Sequence, residues 1–444
     1  MEPSTQAPVS FFERYGYAIK AFIIFFLVLI LLIPTVMVNG LINERHNRQS
    51  EVTDQISNSW GKAQVVTGPV IAIPYLGESR KTTYAYILPD KLKINGELLS
   101  EKLRRGIFSV PVYNAKLQLS GSFSADAIQS LSVPPSALDW QNALLLIELT
   151  DLNGIGNQVV LNWKGKQLQF NPNSLPEGAF SSSIQTAFPI NPKDTASMNG
   201  EFVFDLKLRG SESLSFSPLG KSTSVALNAN WTNPSFDEAF PPATRRIDEK
   251  GFAATWEVQH LNRSFPQAWI GDKFNAHASD FGVKLFMPTE VYQMSSRSVK
   301  YAILIIGLTF LIFYFIELSQ RRPLHPLQYA LIGLALCVFY TLLISISEQI
   351  NFMLAYIIAS ALTIGLIVVY TAAAFKSRRI ALLIGGALAL LYSFIYVVIS
   401  ADDQALLMGS LGLFIILAIV MYVSTKINWQ QLGARTNDKN IIHQ

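Results

Sequence analysis

Five apolar runs follow one another between residues 299 and 423, at 301–316, 329–347, 352–374, 380–400 and 405–423, parted only by short polar punctuation. Four of them approach the length of about 20 residues that a helix needs to cross the hydrocarbon core of a bilayer. The first is shorter, and Glu317 and Ser319 stand where its interfacial end would fall. None alternates with a period of two, so helices are expected rather than barrel strands, each satisfying its own backbone in lipid. A sixth apolar run, 21–38, follows Glu13, Arg14 and Lys20. It is longer than a usual signal-peptide core, and no small-x-small cleavage site follows it. A permanent first helix is expected there, bent near its far end by Pro34, whose freed carbonyl a neighbouring helix could satisfy.

The connections between runs set an orientation. Arg321 and Arg322 lie between the second and third spans; Lys376, Arg378 and Arg379 lie between the fourth and fifth; Lys426, Arg435 and Lys439 follow the sixth. The alternate connections, 349–351 and the one holding Asp402 and Asp403, contain neither Lys nor Arg. Basic residues in short connections mark the cytoplasmic side. The expected layout is therefore a cytoplasmic N-terminus (1–20), a first span (21–38), a large external portion (40–298), a bundle of five spans (299–425) and a cytoplasmic tail (426–444). That is a multi-pass membrane protein.

The external portion changes character along its length. Val52, Ile56 and Trp60 recur every four residues, which fits a helix continuing out of the first span as well as a solvated linker does. After Gly61, stretches rich in β-branched and aromatic residues and bounded by Gly, Pro or Asp point to strands: 65–66, 70–75, 82–88, 107–112, 115–123, 143–149, 159–163, 200–208, 224–230 and 251–257. Residues 126–131 form one short helical candidate. The expected fold class is an α+β membrane protein whose external domain is a mostly-β sandwich or pair of sheets.

Composition excludes several functions. A net charge of +4 over 444 residues, spread along the chain, gives no basic face for nucleic acid. The single cysteine, Cys337, lies inside an apolar run and allows no disulfide within the chain. His46, His260, His277, His325 and His443 are scattered, with no partners at metal-ligand spacing. Gly220-Lys221-Ser222 imitates the end of a phosphate loop, but the required first glycine is Ser215. Gly154-x-Gly156 has Val159 where a dinucleotide fingerprint needs its third glycine. Ser59-x-x-Lys62 lacks the companion motifs of penicillin-interacting serine enzymes. No catalytic, cofactor or metal site is expected.

Polar groups at the ends of the spans are the remaining candidates: Lys300, Glu317, His325, Gln328, Glu348 and Asp402. Charges within a bilayer are costly and default to functional candidates, although at span ends they can also reach headgroups. Lys300, Arg297 and Glu348 fall at similar depth, which makes an interfacial ion pair among them an expectation. His325-Pro326-x-Gln328 fits a helix-start device, with Pro in the first turn.

Several passages resemble the bacterial inner-membrane CreD family. They include Gly68-Pro69-Val70-Ile71-Ala72-Ile73-Pro74, Gly106-Ile107-Phe108-Ser109-Val110, Trp231-Thr232-Asn233-Pro234-Ser235-Phe236 and Gly251-Phe252-x-Ala254-x-Trp256. In the membrane portion they are Lys300-Tyr301-Ala302-Ile303-Leu304, His325-Pro326-x-Gln328-Tyr329, Phe339-Tyr340-x-Leu342-Leu343, Ser347-Glu348 and Ser400-Ala401-Asp402. The resemblance implies one helix, a large periplasmic domain and a helical bundle. It also implies a role in envelope integrity, with tolerance of nuclease colicins and a β-lactam response linked to a two-component system. It supplies no catalytic residue. The expected function is non-enzymatic, with the periplasmic domain as an interaction module for an envelope protein or cell-wall-related partner and with membrane lipid around the bundle. The alternative is a transporter or flippase-like protein for a lipid or cell-wall precursor; a periplasmic hydrolase with a hidden carboxylate pair is a third reading. Oligomeric state is open.

Overall fold

A computed structural model of the chain describes residues 11–75, 83–131, 133–172, 180, 182–191, 195–236, 240–286, 290–320, 323–401 and 404–426. It divides into two compact units, one made of the residues up to Arg48 together with those from Pro288 onward, the other spanning Gln49–Met287. The first helix, α1 (Phe11–Trp60), contributes to both. Fifty residues at 1.5 Å each make about 75 Å of helix. The sequence expectation of a span at 21–38 captures only its apolar middle. Val52 and Ile56 are buried, so the four-residue spacing beyond the span belongs to a helix and not to a linker. Pro34 lies inside the helix without ending it. Gly61 ends it: its φ of +143° suits glycine, and a Cβ there would stand 2.6 Å from the carbonyl oxygen of Arg209.

The second unit is built from two sheets around one core. The larger sheet, among the described residues, runs Pro234–Phe236, Phe281–Leu285, Ser213–Phe216, Gln64–Tyr75, Leu144–Leu149, Ser183–Ala187 and Asn171–Pro172, with Thr83–Ile87 and then Ala268–Ile270 branching from Gln64–Tyr75. The other runs Thr244–Asp248, Gly251–Gln259, Ser222–Ala229, Lys91–Arg105, Phe108–Phe123, Gly200–Ser211, Val160–Trp163 and Lys166–Gln169. Ile71, Ile73 and Phe216 of the first sheet and Leu92, Leu119, Leu206 and Trp256 of the second belong to a single buried cluster. The expected paired-sheet domain is what forms.

Local differences from the sequence expectations have physical reasons. Runs 65–66 and 70–75 fuse into one strand whose register shifts between Thr67 and Val70, so a bulge hides its continuity. Residues 107–112 and 115–123 likewise fuse into Phe108–Phe123, which pairs with Gly200–Ser211 over twelve successive positions. Lys91–Arg105 was absent from the strand candidates because charged residues dominate it. Its alternation is nevertheless regular over its first nine residues, with Leu92, Ile94 and Leu98 buried and Lys91, Lys93, Asn95 and Glu97 exposed. The short helical candidate at 126–131 is a 3-10 helix, Ala125–Ser130, capped by Ser124.

The end of α1 is fixed within this domain. The indole N–H of Trp60 donates to the carbonyl of Tyr113 at 3.3 Å, and the guanidinium of Arg209 lies 5.6 Å from the indole ring. The Ser211 hydroxyl donates to that of Ser57 at 2.8 Å, fully buried.

The first unit gathers the other helices: α2 (Glu290–Lys300), α3 (Ala302–Gln320), α4 (Pro326–Ser347), α5 (Phe352–Phe375), α6 (Arg378–Ser400) and α7 (Ala405–Thr425). With α1, the last five are long and apolar enough to cross a membrane. Aromatic edge-to-face contacts join α4, α5 and α6, with Phe339 at 4.8 Å from Tyr392 and 5.5 Å from Tyr356. The Tyr356 hydroxyl donates to the carbonyl of Tyr392 at 2.8 Å.

Candidate functional site

Two charged clusters of the helical unit lie along the seam where α1 meets α2, α3 and α4. Three layers make up the seam, a charged cluster at each end and a steric fit between them.

At one end Lys20 of α1 pairs with Glu317, in the last turn of α3, whose side chain is only 2% exposed. The ammonium also donates to the carbonyl of Leu324 at 2.6 Å, and it stands 5.8 Å from the ring centre of Tyr329. The Tyr329 hydroxyl, from the first turn of α4, donates to the second carboxylate oxygen of Glu317 at 2.9 Å. Phe310 and Phe313 press on the Tyr329 ring from α3 at 5.5 and 6.3 Å. Both carboxylate oxygens are thus engaged. A buried charge needs such partners, because desolvation would otherwise favour its neutral form.

In the middle, Leu31 of α1 occupies the space left by the missing side chain of Gly333. A Cβ at position 333 would stand 2.1 Å from Leu31 Cδ1 and 2.9 Å from Phe310 Cζ. One turn along α4, the Cys337 thiol points to the carbonyl of Leu31 at 3.6 Å. Small residues at a helix crossing let backbones approach where lipid offers no hydrophobic drive to association.

At the other end Glu348 caps α4. Its Oε1 accepts from the Tyr292 hydroxyl of α2 at 3.0 Å and lies 3.7 Å from Nε of Arg45 on α1. The His46 ring stands 6.2 Å from that of Tyr292, and the Ser296 hydroxyl donates to the Asn39 side-chain oxygen at 3.3 Å. Burial, followed by the neighbouring carboxylate charge, pushes the Tyr292 phenol above its usual range. Arg45 remains 46% exposed, so this cluster is wetter than the one at Lys20.

The six sequence candidates fare differently. Glu317 and Glu348 both face α1, one in each cluster. The expected pairing of Glu348 with Lys300 or Arg297 is corrected: its cation is Arg45. Helix α1 continues past its apolar run far enough to bring Arg45 alongside, whereas α2 presents Tyr292, and Lys300 lies eight residues, about 12 Å of helix, farther on. Arg297 reaches the carbonyl of Ile399 at 3.4 Å instead. Lys300 is exposed at the end of α2. His325 and Gln328 form a capping box on α4, with His325 Nδ1 accepting from the Leu327 N–H at 3.2 Å and Gln328 Oε1 accepting from the His325 N–H at 2.8 Å. That is the helix-start device the spacing pointed to. Asp402 lies outside the described residues.

Sequence reasoning missed Lys20, Arg45, Tyr292, Tyr329 and Gly333. A signal existed for one of them: Lys20 immediately precedes one apolar run and Glu317 immediately follows another, so that antiparallel helices bring the two together.

The β-domain carries a charged cluster of its own. His277 Nε2 is 3.0 Å from Glu148 and Nδ1 is 3.1 Å from Asp280, whose other oxygen accepts from the Ser217 hydroxyl. Ser217 in turn shares a 2.7 Å contact with Thr67. Hydrogen bonds that His277 donates to Asp280 and Glu148 push it up to about 10, so it stays an imidazolium at neutral pH. The serine hydroxyl addresses an aspartate and not the imidazole, so the arrangement is an ionic staple and lacks the serine–base contact of nucleophilic catalysis. The other motif imitators are structural: the Ser59 hydroxyl donates to the carbonyl of Gln55, the Lys62 N–H to Asp151, and Gly154 is held against Arg209, where a Cβ would stand 2.4 Å from its oxygen.

Comparison with known proteins gives one consistent answer. The family model described as Inner membrane protein CreD matches residues 16–430. Inner membrane protein CreD of Escherichia coli (strain K12) is 32% identical over 422 residues, covering 90% of this chain and 91% of that protein.

Proposed function

We propose, for a chain that belongs to the CreD family of inner membrane proteins, that it supports envelope integrity without catalysis and uses its β-domain as an interaction module. It is a multi-pass membrane protein of the envelope, with six candidate spans among the described residues. In the proposed orientation both termini are cytoplasmic and residues 40–298 are periplasmic, as the basic connections around Arg378 and Arg379 favour. Colicin tolerance and a β-lactam response through a two-component system are the phenotypes that the family resemblance attaches to this reading.

One observation carries it: a single continuous helix belongs to both units and is fixed in each. Lys20, Leu31 and Arg45 tie it to the helical unit, while Ser57 and Trp60 tie it to the β-domain. A mere anchor has no need of that seam, whereas a protein that passes a binding event along its chain does. Glu348, the group a polar transport passage would draw on, is taken up by Arg45 and Tyr292.

Orientation and partner are tested separately. In a Cys337→Ser background, Ser222→Cys should react with an impermeant thiol reagent on intact spheroplasts, and Lys376→Cys only after permeabilisation. Labelling of both from the same side overturns the orientation. A photo-crosslinking residue placed at Lys93, on the exposed face of its sheet, should yield a discrete adduct with an envelope protein or cell-wall fragment in living cells. Adducts with lipid alone overturn the interaction reading.

A further inference from the structure

Helix α7 is the least embedded element of the helical unit. Of its 21 residues only Gly412, filled by the Phe394 ring, is buried among those described. Beside that contact α7 leaves a crevice of about 190 Å³. Ile303 and Leu304 of α3, Phe394, Ile395 and Val398 of α6, and Gly409 and Leu413 of α7 supply its wall. Gly409 opens it: a Cβ there would meet only Val398, at an ordinary 4.0 Å. At one end the crevice is bordered by Lys300, an exposed residue that immediately precedes the first span of the bundle.

We infer that this crevice is a site for one anionic glycerophospholipid, an acyl chain lying against Gly409 and Val398 and the phosphate meeting Lys300. Three observations combine. The wall is carbon throughout, so the aliphatic stem of Lys300 lines it, while the residue as a whole is exposed and its ammonium is free to snorkel toward headgroups. Among the described residues Lys300 makes no ion pair, which leaves it available to an external anion. In a membrane a void against carbon forfeits dispersion contacts, and the nearest material to fill it is a lipid tail. Tails discriminate little, because lipid is as apolar as the wall. Selection among lipids therefore falls to the headgroup, and a single cation at interfacial depth selects negative charge.

The test uses the full-length protein, released from bilayers into mild detergent and titrated with phosphatidylglycerol or phosphatidylcholine of identical chains, with bound lipid counted by native mass spectrometry. The wild type should retain one phosphatidylglycerol about fivefold more tightly than phosphatidylcholine, the size of one lysine–headgroup contact near a surface. Lys300→Gln should bring the two lipids to parity while still binding one. Gly409→Ile, which fills the crevice, should abolish retention of both; a matching thermal unfolding profile shows that the variant has folded, and Gly409→Ala, which fits without strain, should behave as wild type. An anionic preference that survives Lys300→Gln overturns the headgroup assignment. Equal retention by a folded Gly409→Ile overturns the site, because the lipid is then only annular.

Discussion

The two charged ends of the α1 seam use the same parts and live in different media. Each has a carboxylate at the C-terminal end of a membrane helix, a cation on α1 and a tyrosine hydroxyl. At the Lys20 end Glu317 is 2% exposed and every oxygen is engaged by a neighbour of fixed geometry. At the Arg45 end the cation is 46% exposed and its contact with Glu348 is 3.7 Å. Burial raises the consequence of losing a partner, because the charge left behind has no water to take its place. Exposure lowers the value of having one, because solvent and salt already screen it. The Lys20 end is therefore the lock that fixes how α1 sits on the bundle, and the Arg45 end is the part that can yield.

The largest effect should follow from breaking that lock on one side only. Glu317→Leu leaves the Lys20 ammonium a neutral carbonyl, that of Leu324, in place of its counter-charge and leaves the Tyr329 hydroxyl without its acceptor, and it should destabilise the detergent-solubilised protein by about 3–5 kcal/mol. The double variant Lys20→Met/Glu317→Leu should recover most of that loss, since a matched apolar pair is often no worse than a buried ion pair. Chemical unfolding of the wild type and the variants decides it. A double variant as unstable as the single one would mean that the cluster acts through something other than stranded charge.

Next in size is the steric layer between the ends. Gly333→Leu drives a side chain into Leu31 and Phe310, and overpacking of this kind costs about 1–3 kcal/mol. Because Leu31 can swing away, Gly333→Ala should lie near the bottom of that range and Gly333→Leu near the top. Equal losses for Gly333→Leu and Glu317→Leu in the same unfolding assay would show that shape and not charge dominates the seam.

The β-domain offers an intermediate case on which to sharpen the contrast. His277 is partly exposed, yet two carboxylates hold its proton to about 10. A histidine whose folded value is raised contributes stability that is complete below its ordinary value of about 6.5 and disappears as pH climbs through the folded value. Stability of the domain should accordingly decline between about pH 6.5 and pH 10, and His277→Gln should flatten that slope. Tryptophan fluorescence during denaturant unfolding at stepped pH follows the domain directly, as Trp140, Trp163 and Trp256 lie in its core. An unchanged slope in His277→Gln would remove the staple from consideration.

How much of this was legible in the chain depends on what carries the signal. The spans were readable because a bilayer demands about 20 apolar residues in a row, a property local to the sequence. The capping box at His325 and Gln328 was readable for the same reason, since its partners lie three residues apart. Glu317 and Glu348 stood out as charges at span ends, but their partners are hundreds of positions away, on α1 for Lys20 and Arg45. No periodicity encodes such a pairing. Gly333 was invisible for a different reason: a glycine in an apolar helix looks like any small residue until the Leu31 side chain is seen filling its place. In the β-domain, Lys91–Arg105 shows the opposite failure, a strand whose first nine residues alternate regularly but are overlaid by charge.

The smallest expected effect belongs to the yielding end of the seam. Arg45→Gln removes a partly exposed cation 3.7 Å from Glu348, and pairs of that kind are worth about 0–1 kcal/mol. Glu348 keeps the Tyr292 hydroxyl at 3.0 Å, so the carboxylate is not stranded as it would be at the Lys20 end. The difference between wild type and Arg45→Gln should shrink as salt is raised from about 0.01 M to 1 M, where the screening length falls from about 30 Å to 3 Å. The Glu317→Leu loss should hardly move over the same range, because ions do not enter a buried pair. Running both variants in one salt series makes the comparison internal: a salt-sensitive Glu317 effect, or a salt-insensitive Arg45 effect, would invert the assignment of which end is dry and which end yields.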